Sequence, residues 1–488
     1  MIRLSIILYS LLFAVGAIAQ PIDGSSLALN DCRVYAGPGS PGIKARCGVF
    51  ERPENPADPE SPMLELRVAV VPALSLEPEP DPFVPIAGGP GGASTEFYVN
   101  WARAFEEIRR NRDILLLDQR GTGKSARMNC DFGDDVIEGQ LSSEETIELT
   151  RACVEALPHD PRFFTTSVAV QDLEALRVAL GYGPLNLYGS SYGTRVAQHF
   201  LRQYPDSTRS VILDGVAPPQ VGLGPAIATE AQKALDAIFD RCKESSDCNS
   251  QFPGLATAFD DLQRRLAEEP QEVALADPLT GVADSYTFGA MELAGALRLL
   301  SYSPGSVALM PLLINEAIEG NYAPLTAQFV MAATAMSDQL AMGMHNSVVC
   351  TEDAPFFTGE AISQEDLEST YIGPIMVDAL RDICSVWPAG IIDDEFKTPV
   401  ATDKPVLLLS GEADPVTPPH FAELALVDME NARHIIGKDQ GHGLGINGCL
   451  PDITAKFVET ASTDDLDDDC LGQLHAMPFF LTFSGPSP

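Results

Sequence analysis

Three short stretches carry residue types that could together do acyl-transfer chemistry. The first is Gly189-Ser190-Ser191-Tyr192-Gly193, which follows an apolar run, Leu185 to Tyr188, and precedes a helix-like segment, Thr194 to Tyr204. A serine at the centre of G-x-S-x-G, between a strand and a helix, stands on a tight turn with its hydroxyl clear of the sheet. The positive end of the following helix then faces any negative charge that develops there. The bare pattern is weak in a chain with 39 glycines; its strand-before, helix-after setting strengthens it.

A serine hydroxyl needs a base, and the base a carboxylate to hold it. Six of the seven histidines follow Ser191, so order alone does not select one. The run Val406 to Leu409 reads as a strand, and Ser410 to Pro415 as the loop at its end, which puts Asp414 where a supporting acid belongs. A further strand, Arg433 to Ile436, leads to Gly441-His442-Gly443, and His442 lies 28 residues after Asp414, the reach of one helix plus one strand. His434 falls inside a strand, His420 opens a helix after a double proline, and His199 lies in the helix behind the serine. Glu412 and Asp214 are alternative acids. The assignment is therefore nucleophile Ser191, base His442 and acid Asp414.

The third requirement is a pair of N–H donors for the oxyanion. The amide after the nucleophile, that of Tyr192, supplies one. The other comes from the loop Ala87-Gly88-Gly89-Pro90-Gly91-Gly92, which leaves the strand Phe83 to Ile86; Gly89 is the expected donor. A phosphate-binding reading of this loop lacks the Lys-Ser/Thr ending of a P-loop.

Those groups must be positioned by a scaffold. Apolar runs at Leu64–Val71, Phe83–Ile86, Ile114–Leu117, Leu185–Tyr188, Val211–Leu213 and Val406–Leu409 read as buried strands. Helical patterns separate many of them, such as Ser167–Leu180 with Val170, Leu173, Leu176 and Leu180 near one face. Alternating strands and helices predict an α/β architecture, a mostly parallel sheet with helices on both faces. Ligands then bind beyond the carboxyl ends of the strands.

From Ala226 to Thr398 helical stretches dominate, including Ala226–Phe239, Ala256–Glu268 and Met291–Leu300. This predicts a helical cap at 226–398, inserted between core segments 20–225 and 399–488. Met331, Met336, Met342 and Met344 are expected to fill its core rather than line a pocket. Glu77-Pro78-Glu79-Pro80-Asp81-Pro82 reads as an extended loop, and no internal repeat is present.

Residues 1–19 read as a signal peptide: Arg3, an apolar stretch Leu4–Val15, and the small-residue site Ala17-Ile18-Ala19. Polar Ser5 and Ser10 and the shortness of the run argue against a membrane anchor. An exported protein, periplasmic or secreted, suits ten cysteines paired as disulfides. Nearest-neighbour pairing would join Cys32–Cys47, Cys130–Cys153, Cys242–Cys248, Cys350–Cys384 and Cys449–Cys470. Without a C-x-x-C pair, structural zinc and thioredoxin-type redox chemistry have little support. The net charge of −38 argues against nucleic acid or an anionic membrane as partner. The acidic runs at 464–465 and 467–469 read as solvated faces, with calcium binding as the lesser alternative.

Taken in order, Gly88-Gly89-Pro90-Gly91-Gly92, Asp118-Gln119-Arg120-Gly121-Thr122-Gly123-Lys124-Ser125, Gly189 to Arg195, Ala413-Asp414-Pro415-Val416-Thr417-Pro418 and Gly441-His442-Gly443 resemble the proline iminopeptidase and tripeptidyl aminopeptidase family of serine exopeptidases. The closer similarity is to its secreted tripeptidyl-aminopeptidase-like branch, whose pattern includes Ser347 to Asp353. The resemblance spans about Cys32 to Cys449 and is weakest in the cap; Ala87 replaces the histidine or proline often found before the double glycine. It implies an α/β-hydrolase fold, a Ser191–His442–Asp414 triad, an oxyanion hole at Gly89 and Tyr192, and no metal or organic cofactor. Asp118, Arg120 and Ser125 would brace the loop near that hole. The implied substrates are peptides with a free N-terminus, and Glu352 is the candidate partner for the ammonium group. A carboxylesterase of the same fold is the main alternative, and a catalytically silent hydrolase-like binding protein a lesser one.

Overall fold

The computed structural model describes residues 27–37, 39–130, 142–278, 280–357 and 363–485. The predicted signal peptide lies outside the described residues. A nine-stranded sheet runs in the order β1-β2-β3-β5-β4-β6-β7-β10-β11. Its members are β1 (Asn30–Val34), β2 (Ile43–Pro53), β3 (Met63–Val71), β4 (Phe83–Ile86), β5 (Ile114–Leu117), β6 (Leu185–Ser190), β7 (Thr208–Asp214), β10 (Thr402–Gly411) and β11 (Met429–Gly437). Strands from β5 to β11 are parallel, whereas β1, β2 and β3 join the edge antiparallel. This is the mostly parallel α/β architecture that the alternation of strand and helix signals predicts, and the α/β-hydrolase fold that the resemblance implies.

The seven strands expected from the sequence are all present, most of them a few residues longer. Their largely apolar runs suit burial on both faces: every residue of β4, β5 and β6 is buried. The edge strand β1 and its neighbour β2 escape that reading. In β2, exposed Lys44, Arg46 and Glu51 interrupt the apolar signal, because this strand lies near the sheet's margin.

Helices cover both faces. Helix α1 (Thr166–Leu180) buries Val170, Leu173 and Leu176 against the sheet and ends on Gly181 in the left-handed region. Each such apolar side chain contributes about 1.5–3 kcal/mol on burial. Helix α2 (Tyr192–Gln203) follows the candidate nucleophile directly.

A second hydrophobic core forms within the predicted cap, from Ala228 and Leu235 on α3 (Pro225–Glu244), Phe259 and Leu262 on α4 (Leu255–Glu268), and Leu293 and Leu297 on α5 (Ala290–Leu300), joined by Phe479 from the last residues described. It also contains an antiparallel hairpin, β8 (Gln271–Ala276) with β9 (Ala283–Phe288), which its polar sequence does not announce. Helix α6 (Ala323–Gln339) leaves Met331 and Met336 41% exposed, so these two do not serve as core filler. Helix α7 (Met342–Glu352) instead packs Met344 and Val348 into the core of the main sheet. Helical periodicity cannot say which of two cores a helix serves.

All five nearest-neighbour disulfides are formed. Among the described residues, no helix is long and apolar enough to cross a membrane.

Candidate active site

Ser191 sits between the end of β6 and the start of α2 with φ 55° and ψ −124°. This left-handed value is a strained conformation for serine, and such strain persists only where the surroundings hold it. Two contacts do so: Ser191 N–H donates to the Asp214 carbonyl at 2.8 Å, and its own carbonyl accepts from Thr194 N at 2.9 Å. The turn demands glycine at 193, where any Cβ would collide with the Ile86 carbonyl oxygen.

Asp414 and His442 approach from the ends of β10 and β11. His442 Nδ1 lies 2.8 Å from Asp414 Oδ2, and the carboxylate is almost wholly buried. Its other oxygen accepts from the amides of Val416 and Thr417, both at 2.9 Å, while Thr417 Oγ1 donates to Oδ2 at 2.8 Å. Burial by itself would raise this carboxyl; the His442 imidazole and these donors outweigh it and hold Asp414 below the usual range. For His442, burial acts towards a lower value. The Asp414 charge and hydrogen bond, with Asp214 behind them, override it and hold the imidazole above its ordinary 6.5. A base works only when neutral, so kcat/KM is expected to fall on the acid side with a midpoint above about 6.5. A pH–rate profile measures this, and an acid limb below pH 6 would contradict it.

The competing residues are engaged elsewhere. His434 Nε2 meets Ser410 Oγ at 2.9 Å, and His199 Nε2 meets Asp393 at 2.6 Å. His420 is half exposed, and Glu412 is exposed.

The glycine loop lies directly over the serine. A Cβ at position 88 would stand 2.9 Å from the Cβ of Ser191, so only glycine lets the loop come this close. Helix α7 holds the loop from above, with Ala341 N donating to the Gly91 carbonyl at 3.1 Å and His345 Nδ1 to the Pro90 carbonyl at 3.1 Å. Tyr192 opens α2, so its amide is one of the first four in the helix, which have no intrahelical acceptor. Asp118 accepts from Thr95 N at 2.9 Å and Thr95 Oγ1 at 3.1 Å, at the start of the helix after the glycine loop. Arg120 grips Asp172 with two nitrogens, at 2.7 and 2.9 Å, and Ser125 Oγ accepts from Arg67 N at 2.7 Å. These three residues hold chain segments together behind the site.

Glu352, at the end of α7, is fully enclosed. Its oxygens accept from Thr166 N at 2.7 Å and Thr166 Oγ1 at 2.9 Å, and Arg195 stands 3.9 Å away. Thr166 in turn bonds the Tyr192 hydroxyl at 2.6 Å. Burial pushes the Glu352 carboxyl up to about 7, against the opposing pull of Arg195 and Thr166.

Asp214, one of the alternative acids, joins the two halves of the site. While its carbonyl holds Ser191, its carboxylate accepts from the amides of Leu444 at 2.8 Å and Gly445 at 2.9 Å, just beyond His442. The Tyr188 hydroxyl donates to the same carboxylate. The sequence signal was an acid ending a buried strand; its attachment to the histidine loop is a long-range contact that no local pattern encodes. Hydrogen bonds to a charged acceptor are worth about 1.5–3 kcal/mol each. Asp214→Asn is therefore expected to lower kcat/KM by roughly 10–100-fold. Steady-state assays check this, and wild-type turnover in a folded variant would show that the loop needs no such anchor.

Comparison with known proteins gives matches over most of the chain. A family model described as alpha/beta hydrolase fold matches residues 81–238, which include the glycine loop and Ser191. A second, described as TAP-like protein, matches residues 369–470, which include Asp414 and His442. The chain is 25% identical over 438 residues to a tripeptidyl aminopeptidase of Streptomyces lividans, covering 80% of this chain and 76% of that one. It is 23% identical over 448 residues to serine protease Hip1 of Mycobacterium tuberculosis, covering 82% of each. Among solved structures, a proline iminopeptidase of Mycobacterium smegmatis aligns with 15% identity and a TM-score of 0.39, over 85% of this chain and 98% of that one.

Proposed function

We propose that this chain, which belongs to the tripeptidyl aminopeptidase and proline iminopeptidase family of α/β-hydrolase serine peptidases, is an exported aminopeptidase that removes short peptides or single residues from free N-termini. The observation that carries the reading is the buried Asp414–His442 pair, 2.8 Å apart, at the sheet edge where the Ser191 turn lies under the glycine loop. In this reading His442 takes the Ser191 proton as Oγ attacks the peptide carbonyl. Asp414 fixes the imidazole tautomer and stabilises the imidazolium. The amides of Gly89 and Tyr192 receive the oxyanion. His442 then protonates the leaving amine, and water releases the acyl group from Ser191.

Two supports favour an N-terminal exopeptidase over a carboxylesterase. The relatives with the longest matches carry peptidase names, and the backbone of Tyr302, in the predicted cap, contacts His442, so that segment stands at the site where it can select among substrates. Export is supported by the signal-like start and by five disulfides, which persist in oxidising compartments.

Recognition of the ammonium group by Glu352 gains no support from its surroundings. A wholly enclosed carboxylate with both oxygens satisfied by Thr166 reads better as a brace between α7, the start of α1 and Tyr192. Glu352→Gln is accordingly expected to slow blocked and unblocked peptides alike, by about tenfold for one charged hydrogen bond lost. A loss confined to substrates with a free amine would return the ammonium role to Glu352.

The function itself is tested with amide substrates bearing free or acetylated N-termini alongside short p-nitrophenyl esters, with released products identified by mass spectrometry. Preference for the free amine is the expected result. Turnover of esters alone would make the protein an esterase. No turnover of any of them, with no fluorophosphonate labelling, would make it a silent binding protein.

A further inference from the structure

Acidic residues outnumber basic ones in this chain by 69 to 31, so a buried guanidinium nitrogen left without any acceptor stands out. Among the described residues, Arg241 and Arg298 each keep a buried nitrogen with no hydrogen-bond acceptor and form no ion pair within 4 Å; Arg195, with a similar free nitrogen, is paired to Asp353. Arg241 is accounted for by Phe479, whose ring centre is 4.1 Å from its guanidinium carbon. Arg298 is different because of what lies beyond its aromatic neighbour.

Arg298 belongs to the last turn of α5, and its guanidinium carbon stands 5.8 Å from the centre of the Tyr302 ring. That ring meets the His442 imidazole edge to face, with centroids 5.2 Å apart, and the Tyr302 carbonyl accepts the His442 amide at 2.8 Å. The arginine is thus one aromatic ring away from the candidate base. Its positive charge disfavours protonation of His345, which holds the glycine loop, and of His442, with burial the larger cause at each. The other charges bearing on these two imidazoles are Asp414, Asp214 and Asp353.

We infer that Arg298 is a specificity residue that receives a substrate carboxylate on the leaving-group side of the scissile bond. The inference rests on the peptidase reading, in which the leaving amine departs towards His442 and takes its proton. A group seated behind His442 then faces the residue that follows the cleaved bond. A guanidinium offers a planar fork of donors matched to a carboxylate, and an unpaired one has that fork available. The protein's strongly negative field repels anionic substrates at long range, so a local cation is what would admit them. The carboxylate is either the side chain of Asp or Glu following the cleaved bond or the α-carboxylate of a single departing residue.

Three matched peptides with free N-termini separate these sources. One has Glu after the cleaved bond and an amidated C-terminus; the second has Gln in its place; the third ends at that Gln with a free α-carboxylate. Wild-type enzyme is expected to prefer the first or third over the second by about ten- to a hundredfold in kcat/KM, mostly through KM. Arg298→Gln should abolish that preference and Arg298→Lys should keep part of it. Arg241→Gln, which removes the same charge elsewhere, should leave it intact. A wild-type preference for the neutral peptide would overturn the inference without any variant. So would an unchanged ratio in Arg298→Gln, or an equal change in Arg241→Gln. Fluorophosphonate labelling keeps the two levels apart: labelled enzyme with an unmoved ratio removes only the role of Arg298, whereas unlabelled wild-type enzyme removes the peptidase reading and this inference with it.

Discussion

Ser191→Ala is expected to lower kcat by up to about 10⁶ while leaving the fold intact, because it removes the only atom that forms the covalent intermediate. The residual rate would come from the oxyanion donors and substrate binding, which do not need the hydroxyl. The geometry makes this a clean deletion. Ser191 is held in its strained turn by backbone contacts to Asp214 and Thr194, not by its side chain. Relief of a left-handed serine is not expected from alanine, which shares its Cβ, so stability should change little. Single-turnover assays and fluorophosphonate labelling measure the effect; near-normal turnover in a preparation free of contaminating hydrolase would discard Ser191 as nucleophile.

Asp414→Asn should cost about 10⁴ in kcat. Three donors, from Val416, Thr417 N and Thr417 Oγ1, surround the carboxylate, and an amide cannot accept from all of them and from His442 Nδ1–H as well. The amide nitrogen would turn a donor towards one of these donors, and the imidazole would lose its fixed tautomer. Asp414 also raises the basicity of His442, so the residual activity should show an acid limb displaced to lower pH. A loss without that displacement would mean that the residue only supports the loop. Asp214 is the built-in comparison. It too lies near His442, but it binds the loop's amides and not the ring, so its replacement should cost far less.

The candidate site was legible in the sequence to an unusual degree because its chemistry is carried by loops at the ends of fully buried strands. The run Val406 to Leu409 is apolar without a break and Leu185 to Tyr188 is interrupted only by Asn186, and each is followed at once by the residues that matter. The outer strand β2 and the hairpin β8–β9 were not legible, since exposed strands alternate with polar residues and resemble loops. Glu352 shows the limit in another way. Its place in Ser347 to Asp353 marks it as notable, yet whether a carboxylate faces a cleft or a helix end depends on packing.

By itself, then, the sequence determined the α/β alternation, the turn around Ser191, the glycine loop, and the acid and histidine at the ends of late strands. These are local properties, set by periodicity, by the backbone freedom of glycine and by short spacings. Only the tertiary structure decided that Asp214 links the serine turn to the histidine loop, that α7 serves the main core, that Glu352 is enclosed, and that Arg298 stands unpaired behind Tyr302. Each of those depends on contacts between segments far apart in the chain, where burial and the presence or absence of a partner charge arise from packing and not from any residue's neighbours in sequence.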